Sequence, residues 1–143
     1  MVKFRGTMGL YAVGTAATFI AFASSAFGAE VTYKGSWECD ATPKMNIPMF
    51  SAPASAVRDG DRLTVSRVVY KPGTYEETSR VSGTAMIRDG RVAVETASTG
   101  GGITGRFSGT VSDMEVVLAG DEHVKIAGRG EDDRACRVSL KRP

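Results

Sequence analysis

The sequence has very little of what catalysis and metal binding need. It contains one histidine, His123, and two cysteines in 143 residues, and no Gly-x-Ser-x-Gly motif is present. Glu76 and Glu77 are adjacent, so on a strand they would point to opposite faces and not converge on a substrate. Zinc sites take three or four nitrogen or sulfur ligands. The sequence therefore predicts a protein that is not an enzyme, with no catalytic residue, no metal site and no cofactor.

Three polar or glycine-rich segments lack the spacing that would give them a function. Residues 100–105 lack the Gly-Lys-Ser/Thr ending of a phosphate-binding loop. Residues 131–133 are acidic, but a calcium loop needs six or more oxygens at set spacing. His123, with Asp121 two residues before it, lies where a hairpin is predicted. We expect all three segments to be solvated turns.

The N-terminal segment has the organisation of a secretion signal. Lys3 and Arg5 precede an apolar run at residues 8–22, and small residues follow. This order predicts a signal peptide over residues 1–29, cleaved after Gly28 or Ala29, in preference to a membrane anchor. Residues 30–143 have the length of one domain. We expect this domain to be periplasmic or secreted, without stable membrane insertion.

Removal of the leader also changes the charge of the protein. The chain has 18 Lys and Arg against 16 Asp and Glu, and loss of Lys3 and Arg5 makes the two numbers equal. A neutral domain without a basic cluster lacks the electrostatic attraction that nucleic acids and anionic lipids require. The sequence therefore predicts no nucleic-acid partner.

The two cysteines lie near the two ends of the predicted domain. Cys39 is in the first predicted strand and Cys136 in the last, and each falls on the apolar face of its strand. Cysteines of an exported protein are oxidised, so we expect a Cys39–Cys136 disulfide.

Alternation of apolar and polar residues dominates the chain after residue 29 and is typical of β-strands. Strands are predicted at residues 31–39, 52–58, 62–70, 78–88, 91–99, 103–112 and 136–141. Turns are predicted at Asp59-Gly60, Pro72-Gly73, Asp89-Gly90, residues 100–102, Ser112-Asp113, Gly120-Asp121 and residues 131–133. Asp-Gly between alternating segments is a strong hairpin signal, because both positions must tolerate positive φ.

About eight strands joined by short turns predict an all-β fold, an antiparallel up-and-down barrel, with a β-sandwich as the alternative. An even strand number makes the first and last strands antiparallel neighbours, where the cysteines would meet. The residues expected to face inward in the middle strands are Val81, Gly83, Ala85, Ile87, Val92, Val94, Ile103, Gly105 and Phe107.

Gly35-Ser36-Trp37 in the first strand resembles the Gly-x-Trp signature of calycin barrels, the lipocalins, avidins and their relatives. The resemblance implies that Trp37 closes one end of the barrel and that a basic residue of the last strand packs across it. Arg134 or Arg137 would be that residue. The chain resembles equally well the small secreted bacterial β-barrels that have one disulfide.

Two kinds of binding remain open from the sequence. A calycin-like barrel would take a small apolar ligand into its interior. Alternatively, the proline-broken apolar segment at residues 45–53 would contact another protein, as in an inhibitor of a secreted hydrolase or a cell-envelope interaction protein. The residues predicted to contact the ligand or partner are Trp37, Met45, Ile47, Met49 and Phe50.

Overall fold

In the computed structural model the chain forms a closed barrel in which each strand pairs with the next and the last strand returns to the first. The strands are β1 (Glu30–Cys39), β2 (Phe50–Asp59), β3 (Arg62–Tyr70), β4 (Glu77–Met86), β5 (Arg91–Ser98), β6 (Ile103–Val111), β7 (Glu115–Ile126) and β8 (Gly130–Lys141). All neighbouring pairs are antiparallel. The predicted all-β up-and-down barrel is confirmed.

The structure describes residues 29–71 and 74–143. The predicted signal peptide therefore lies outside the described residues except for Ala29, and so does the predicted Pro72-Gly73 turn.

The connections leave the barrel at two ends, which we call lower and upper. The lower end carries the turns at residues 60–61, 87–90 and 112–114, and the upper end carries residues 40–49, 71, 74–76, 99–102 and 127–129. Asp89 and Gly90 have φ of 53° and 72°, so this Asp-Gly turn adopts the conformation expected of it. In the first hairpin Asp59 still belongs to β2, the turn is formed by residues 60 and 61, and only Gly60, with φ of 64°, has the positive value. A single 3₁₀ turn, Pro43–Met45, lies in the first upper connection.

Alternating burial shows how the sequence builds the barrel. In β5 every second residue is buried, and β8 follows the same period from Arg134 onward. The nine residues that the alternation predicted to face inward are all buried or half-buried. At the lower end the hydroxyl of Tyr33 donates a hydrogen bond to the carbonyl of Ser112 at 2.8 Å. The apolar faces of all eight strands thus meet in one core.

The predicted disulfide is present and lies where the barrel closes. Cys39 and Cys136 are direct partners in the β1–β8 ladder, and their sulfurs are bonded. The ladder extends from this pair to Lys34 and Lys141. The covalent bond therefore fastens the upper end of the one strand pair that local hairpins cannot form.

Two of the predicted turns are wrong. Gly120 and Asp121 lie in the middle of β7, and residues 131–133 belong to β8; the turn between them is at residues 127–129, where Gly128 has φ of 82°. The strand has a glycine at position 120 because a Cβ there would overlap the carbonyl group of Arg106 on β6. Glycine here permits close contact between strands, and it does not mark a turn.

The predicted loop at residues 45–53 is only partly a loop. Its second half, from Phe50 to Pro53, belongs to β2. Pro53 lies opposite Ser36 of β1, whereas the ladder between β2 and β3 begins one residue later, at Ala54. The proline is therefore tolerated because it sits where β2 has a partner on one side only.

Candidate functional site

Side chains occupy the interior of the barrel from its lower to its upper end. Tyr33 lies at the lower end, and Trp37 packs edge-on against Phe107 in the middle, with ring centres 5.0 Å apart. The other large interior side chains with almost no exposure are Leu63, Leu118, Leu140, Val65, Val81, Val94, Val116, Val124 and Val138. An eight-stranded barrel is just wide enough to be filled in this way.

A buried ion cluster lies in the upper half of this interior, and we call Arg67, Glu122 and Arg134 the charged trio. Nη2 of Arg67 donates to both carboxylate oxygens of Glu122 at 3.0 Å. Nε and Nη2 of Arg134 donate to Oε1 of Glu122 at 3.1 and 2.8 Å. The three side chains are 3%, 0% and 4% exposed. Burial in this apolar surrounding lowers the pKa of the Arg67 guanidinium, while the Glu122 carboxylate acts in the opposite direction.

Aromatic rings and the disulfide enclose the charged trio. The ring centre of Phe50 lies 5.1 Å from Cζ of Arg67 and 4.7 Å from Cζ of Arg134, and Cζ of Arg67 is also 5.1 Å from the ring centre of Trp37. These are cation–π distances. Sγ of Cys39 lies 3.6 Å from Oε1 of Glu122, and as part of a disulfide it is not a thiolate metal ligand.

The five residues predicted to contact a ligand or partner do not form one surface. Trp37 and Met45 are 0% and 2% exposed and belong to the interior. Ile47 and Phe50 are half-buried. Met49 is 63% exposed. Of the five residues predicted to make contact, Met49 is therefore the one that is exposed to solvent.

Two tyrosines extend the exposed apolar surface at the upper end. Tyr70 ends β3, Tyr75 lies in the following connection, and their rings meet edge-on with centres 6.4 Å apart. Tyr75 is 95% exposed, the largest exposure among the large hydrophobic side chains of the described residues. β2 and β3 are neighbouring strands, so Met49 and the two tyrosines belong to adjacent connections. We call Met49, Tyr70 and Tyr75 the upper-end patch.

The basic residue over Trp37 does not come from the strand that the calycin resemblance implied. Arg137 points outward and lies 3.9 Å from Glu38 and 3.4 Å from Asp40. Arg134 points inward but binds Glu122. The guanidinium over the Trp37 ring belongs to Arg67 of β3. The calycin signature thus predicts a cation on this ring correctly and its strand wrongly.

His123 lies on the outer face of β7, opposite Asp133 of β8, and not on a turn. Its Nδ1 is 2.7 Å from a carboxylate oxygen of Asp133, and its Nε2 is 2.8 Å from one of Glu131. Hydrogen bonds from Asp133 and then Glu131 raise the pKa of His123 above its ordinary value. When both ring nitrogens carry a proton, each donates to one carboxylate, and His123 then links the two strands as a cation.

Nuclear magnetic resonance titration of His123, the only histidine in the chain, tests this link. We expect a pKa above the ordinary value of about 6.5. The combined Glu131→Gln and Asp133→Asn substitutions should return the pKa towards that value, whereas Asp121→Asn should move it less. Because the folded-state pKa is raised, the link stabilises the barrel fully below the ordinary pKa. This contribution disappears as the pH rises through the raised pKa. A pKa that is unchanged by the double substitution contradicts the arrangement.

A concavity of about 800 Å³ lies on the outside of the barrel. It follows the outer faces of β4 to β8, where Glu95 and Arg106 approach to 3.8 Å. The other lining residues are Ser82, Thr96, Ala97, Thr104, Gly105, Asp121, His123 and Asp133. Its charged, hydroxyl-bearing walls do not suit the small apolar ligand that the sequence predicted for the interior. That ligand remains a prediction.

Arg67 and Glu122 were not predicted from the sequence, although their positions in the strand alternation indicate that they face inward. Glu122 falls in the inward phase of Leu118 and Val124, and Arg67 in the inward phase of Leu63 and Val65. A charged residue on the apolar phase of a strand is rarely buried unless it has a partner of opposite charge. Two such residues of opposite sign therefore indicate an interior ion pair.

Comparison with known proteins leaves the structure as the main guide to function. No protein-family model matches the chain, and no curated protein matches it significantly. Among the residues that the structure describes, no helix has the length and apolarity needed to cross a lipid bilayer.

Proposed function

We propose that this protein is a non-enzymatic binding module that recognises another protein through the upper-end patch, in an oxidising compartment outside the cytoplasm. The filled interior is the observation that carries the proposal. Trp37, which a lumen ligand would stack on, is 0% exposed and already packed against Phe107. A protein partner needs no vacant lumen, so the surface is the better supported place for binding.

The upper-end patch has the composition of a binding surface. Tyrosine is enriched among the residues that contribute most to protein–protein affinity, because it offers a large ring and a polar tip. Tyr75 is almost fully exposed, and Tyr70 supports it from one side. Met49 adds a flexible apolar side chain on the next connection. An inhibitor of a secreted hydrolase or a cell-envelope interaction protein is the class of function that fits.

The disulfide supports the location. Structural disulfides persist in oxidising compartments and are rare in the cytoplasm. The Cys39–Cys136 bond joins strands that are far apart in the chain and lies among buried residues. The periplasm or the extracellular space fits this bond, in agreement with the predicted leader.

Matched methionine variants test the proposal. The oxidised protein is immobilised and exposed to the extracytoplasmic fraction of the organism, with Met49→Ser/Tyr75→Ser and Met114→Ser as variants. Met114 is a suitable control because it is also 63% exposed but lies at the lower end. We expect a protein captured equally by the wild type and Met114→Ser, with affinity for the double variant reduced about tenfold or more, or 1.4 kcal/mol.

Three results would count against the proposal. These are capture of no protein, equal capture by the double variant, and equal loss in the Met114→Ser control. Saturable thermal stabilisation of the wild type by a small hydrophobic compound would favour the lumen ligand.

A further inference from the structure

The charges inside the barrel do not cancel. The charged trio has two guanidinium groups and one carboxylate, which leaves one positive charge in excess. Across residues 29–71 and 74–143, Glu122 is the only acid within 4.0 Å of either guanidinium. An uncompensated charge in an apolar interior is strongly unfavourable. The excess therefore calls for a negative partner.

Two buried N–H groups beside the excess charge also lack an acceptor. They are Nε of Arg67 and Nε1 of Trp37, and both atoms are inaccessible to solvent. The two residues are 4% and 0% exposed. Cζ of Arg67 lies 5.1 Å from the centre of the Trp37 ring, so the two N–H groups belong to side chains that are in contact. Each can only donate a hydrogen bond, so the partner must be an acceptor.

We propose that the interior of the barrel binds one small monovalent anion beside Arg67 and Trp37. A single negative charge cancels the excess of the charged trio, and an anion accepts hydrogen bonds from both unpaired groups. A halide or an anion of similar size fits this description better than sulfate or phosphate, because the excess is one charge and large buried side chains border the site. Burial lowers the pKa of Arg67, and the positive charge of Arg134 lowers it further.

Phe50 separates this region from solvent at the upper end. Its half-buried ring contacts both guanidinium groups, and the buried Met45 lies in the connection before it. A movement of this ring opens a path to the charged trio without unfolding a strand. Anion exchange through this path makes the site accessible in solution.

The only tryptophan of the chain provides the measurement. Iodide quenches indole fluorescence on contact, and a fully buried indole is normally protected from it. We expect iodide to quench Trp37 with a saturable dependence at constant ionic strength, and chloride to displace iodide and restore the emission. Chloride should also raise the melting temperature saturably, when gluconate replaces it at constant ionic strength. Quenching that is absent, or linear in iodide and insensitive to chloride, overturns the proposal.

Arg67→Gln separates anion binding from general salt effects. This substitution leaves Arg134 and Glu122 as a neutral pair, so the excess charge is gone. Saturable quenching should disappear or its midpoint should rise at least about tenfold. Arg106→Gln, which removes an exposed arginine on the outer face, should behave as the wild type.

Equal saturation in the wild type and a folded Arg67→Gln overturns the proposal. If Arg67→Gln does not fold, the competition between chloride and iodide in the wild type decides the question alone. A buried water in place of the anion would give no dependence on chloride in any of these measurements.

Discussion

Glu122→Gln is expected to lower the free energy of unfolding by about 3–5 kcal/mol, because it leaves two buried guanidinium groups without their carboxylate. Glutamine keeps the shape of the side chain and one acceptor oxygen, so the change is chiefly one of charge. Four hydrogen bonds, all from arginine nitrogens, currently end on the two oxygens of Glu122. The loss should be measured by urea unfolding at low, fixed chloride, so that anion binding does not offset it.

Glu95→Gln is the matched control for this substitution. Glu95 also faces an arginine, Arg106 at 3.8 Å, but the two side chains are 81% and 87% exposed. An exposed ion pair contributes about 0–1 kcal/mol, since water and salt screen it. We therefore expect Glu95→Gln to unfold at nearly the wild-type urea concentration. A loss below about 1 kcal/mol for Glu122→Gln itself would mean that the charged trio is not buried as the structure has it.

The barrel was predictable because apolar and polar residues alternate along its strands with a period of two. The alternation in β5 and the Asp-Gly turn before it each point to the same hairpin. Burial on one face and polarity on the other are local properties, so they can be read without knowing the neighbours. The cysteine pairing was predictable for a different reason, because an even number of antiparallel strands brings the two ends of the barrel together.

The errors have one physical origin, which is contact between strands that are distant in sequence. Gly120 is required by the carbonyl group of Arg106, and nothing within β7 itself reveals that contact. The charged trio is formed by residues of three different strands, Arg67, Glu122 and Arg134. These residues meet only because the pairing register places them at the same level along the barrel axis. The phase of each strand indicates that these charges face inward, but only the register indicates that they meet.

The upper-end patch was the least predictable feature, because its residues have no mutual sequence pattern. In the sequence, Tyr70 is the last residue of an alternating strand pattern. Tyr75 is one residue of a polar loop, and nothing in the pattern distinguishes it from the others. Their edge-on contact joins the end of β3 to a residue five positions later, and no local sequence pattern predicts it. Of the apolar residues predicted to make contact in the segment around Met49, Met49 itself is exposed, whereas Met45, Ile47 and Phe50 are buried or half-buried.

Removal of the disulfide should also lower the stability of the protein strongly. The double substitution Cys39→Ala/Cys136→Ala is expected to lower the free energy of unfolding by about 4–5 kcal/mol, the figure of the chain-entropy model for a loop of this length. The bonded residues are 97 positions apart, so the bond greatly restricts the unfolded chain. Equilibrium unfolding in urea measures the difference, and the slope against urea should rise because the unfolded state becomes more expanded.

Alanine is the appropriate replacement because of the contact between Cys39 and Glu122. Their Sγ and Oε1 atoms are 3.6 Å apart, so a serine hydroxyl would add a hydrogen bond to the charged trio and hide part of the loss. Reduction of the wild-type protein with a thiol reagent should give a similar loss without any substitution. If both the reduced protein and the double variant unfold within about 1 kcal/mol of the oxidised wild type, the β1–β8 ladder closes the barrel unaided. The disulfide would then be dispensable for stability.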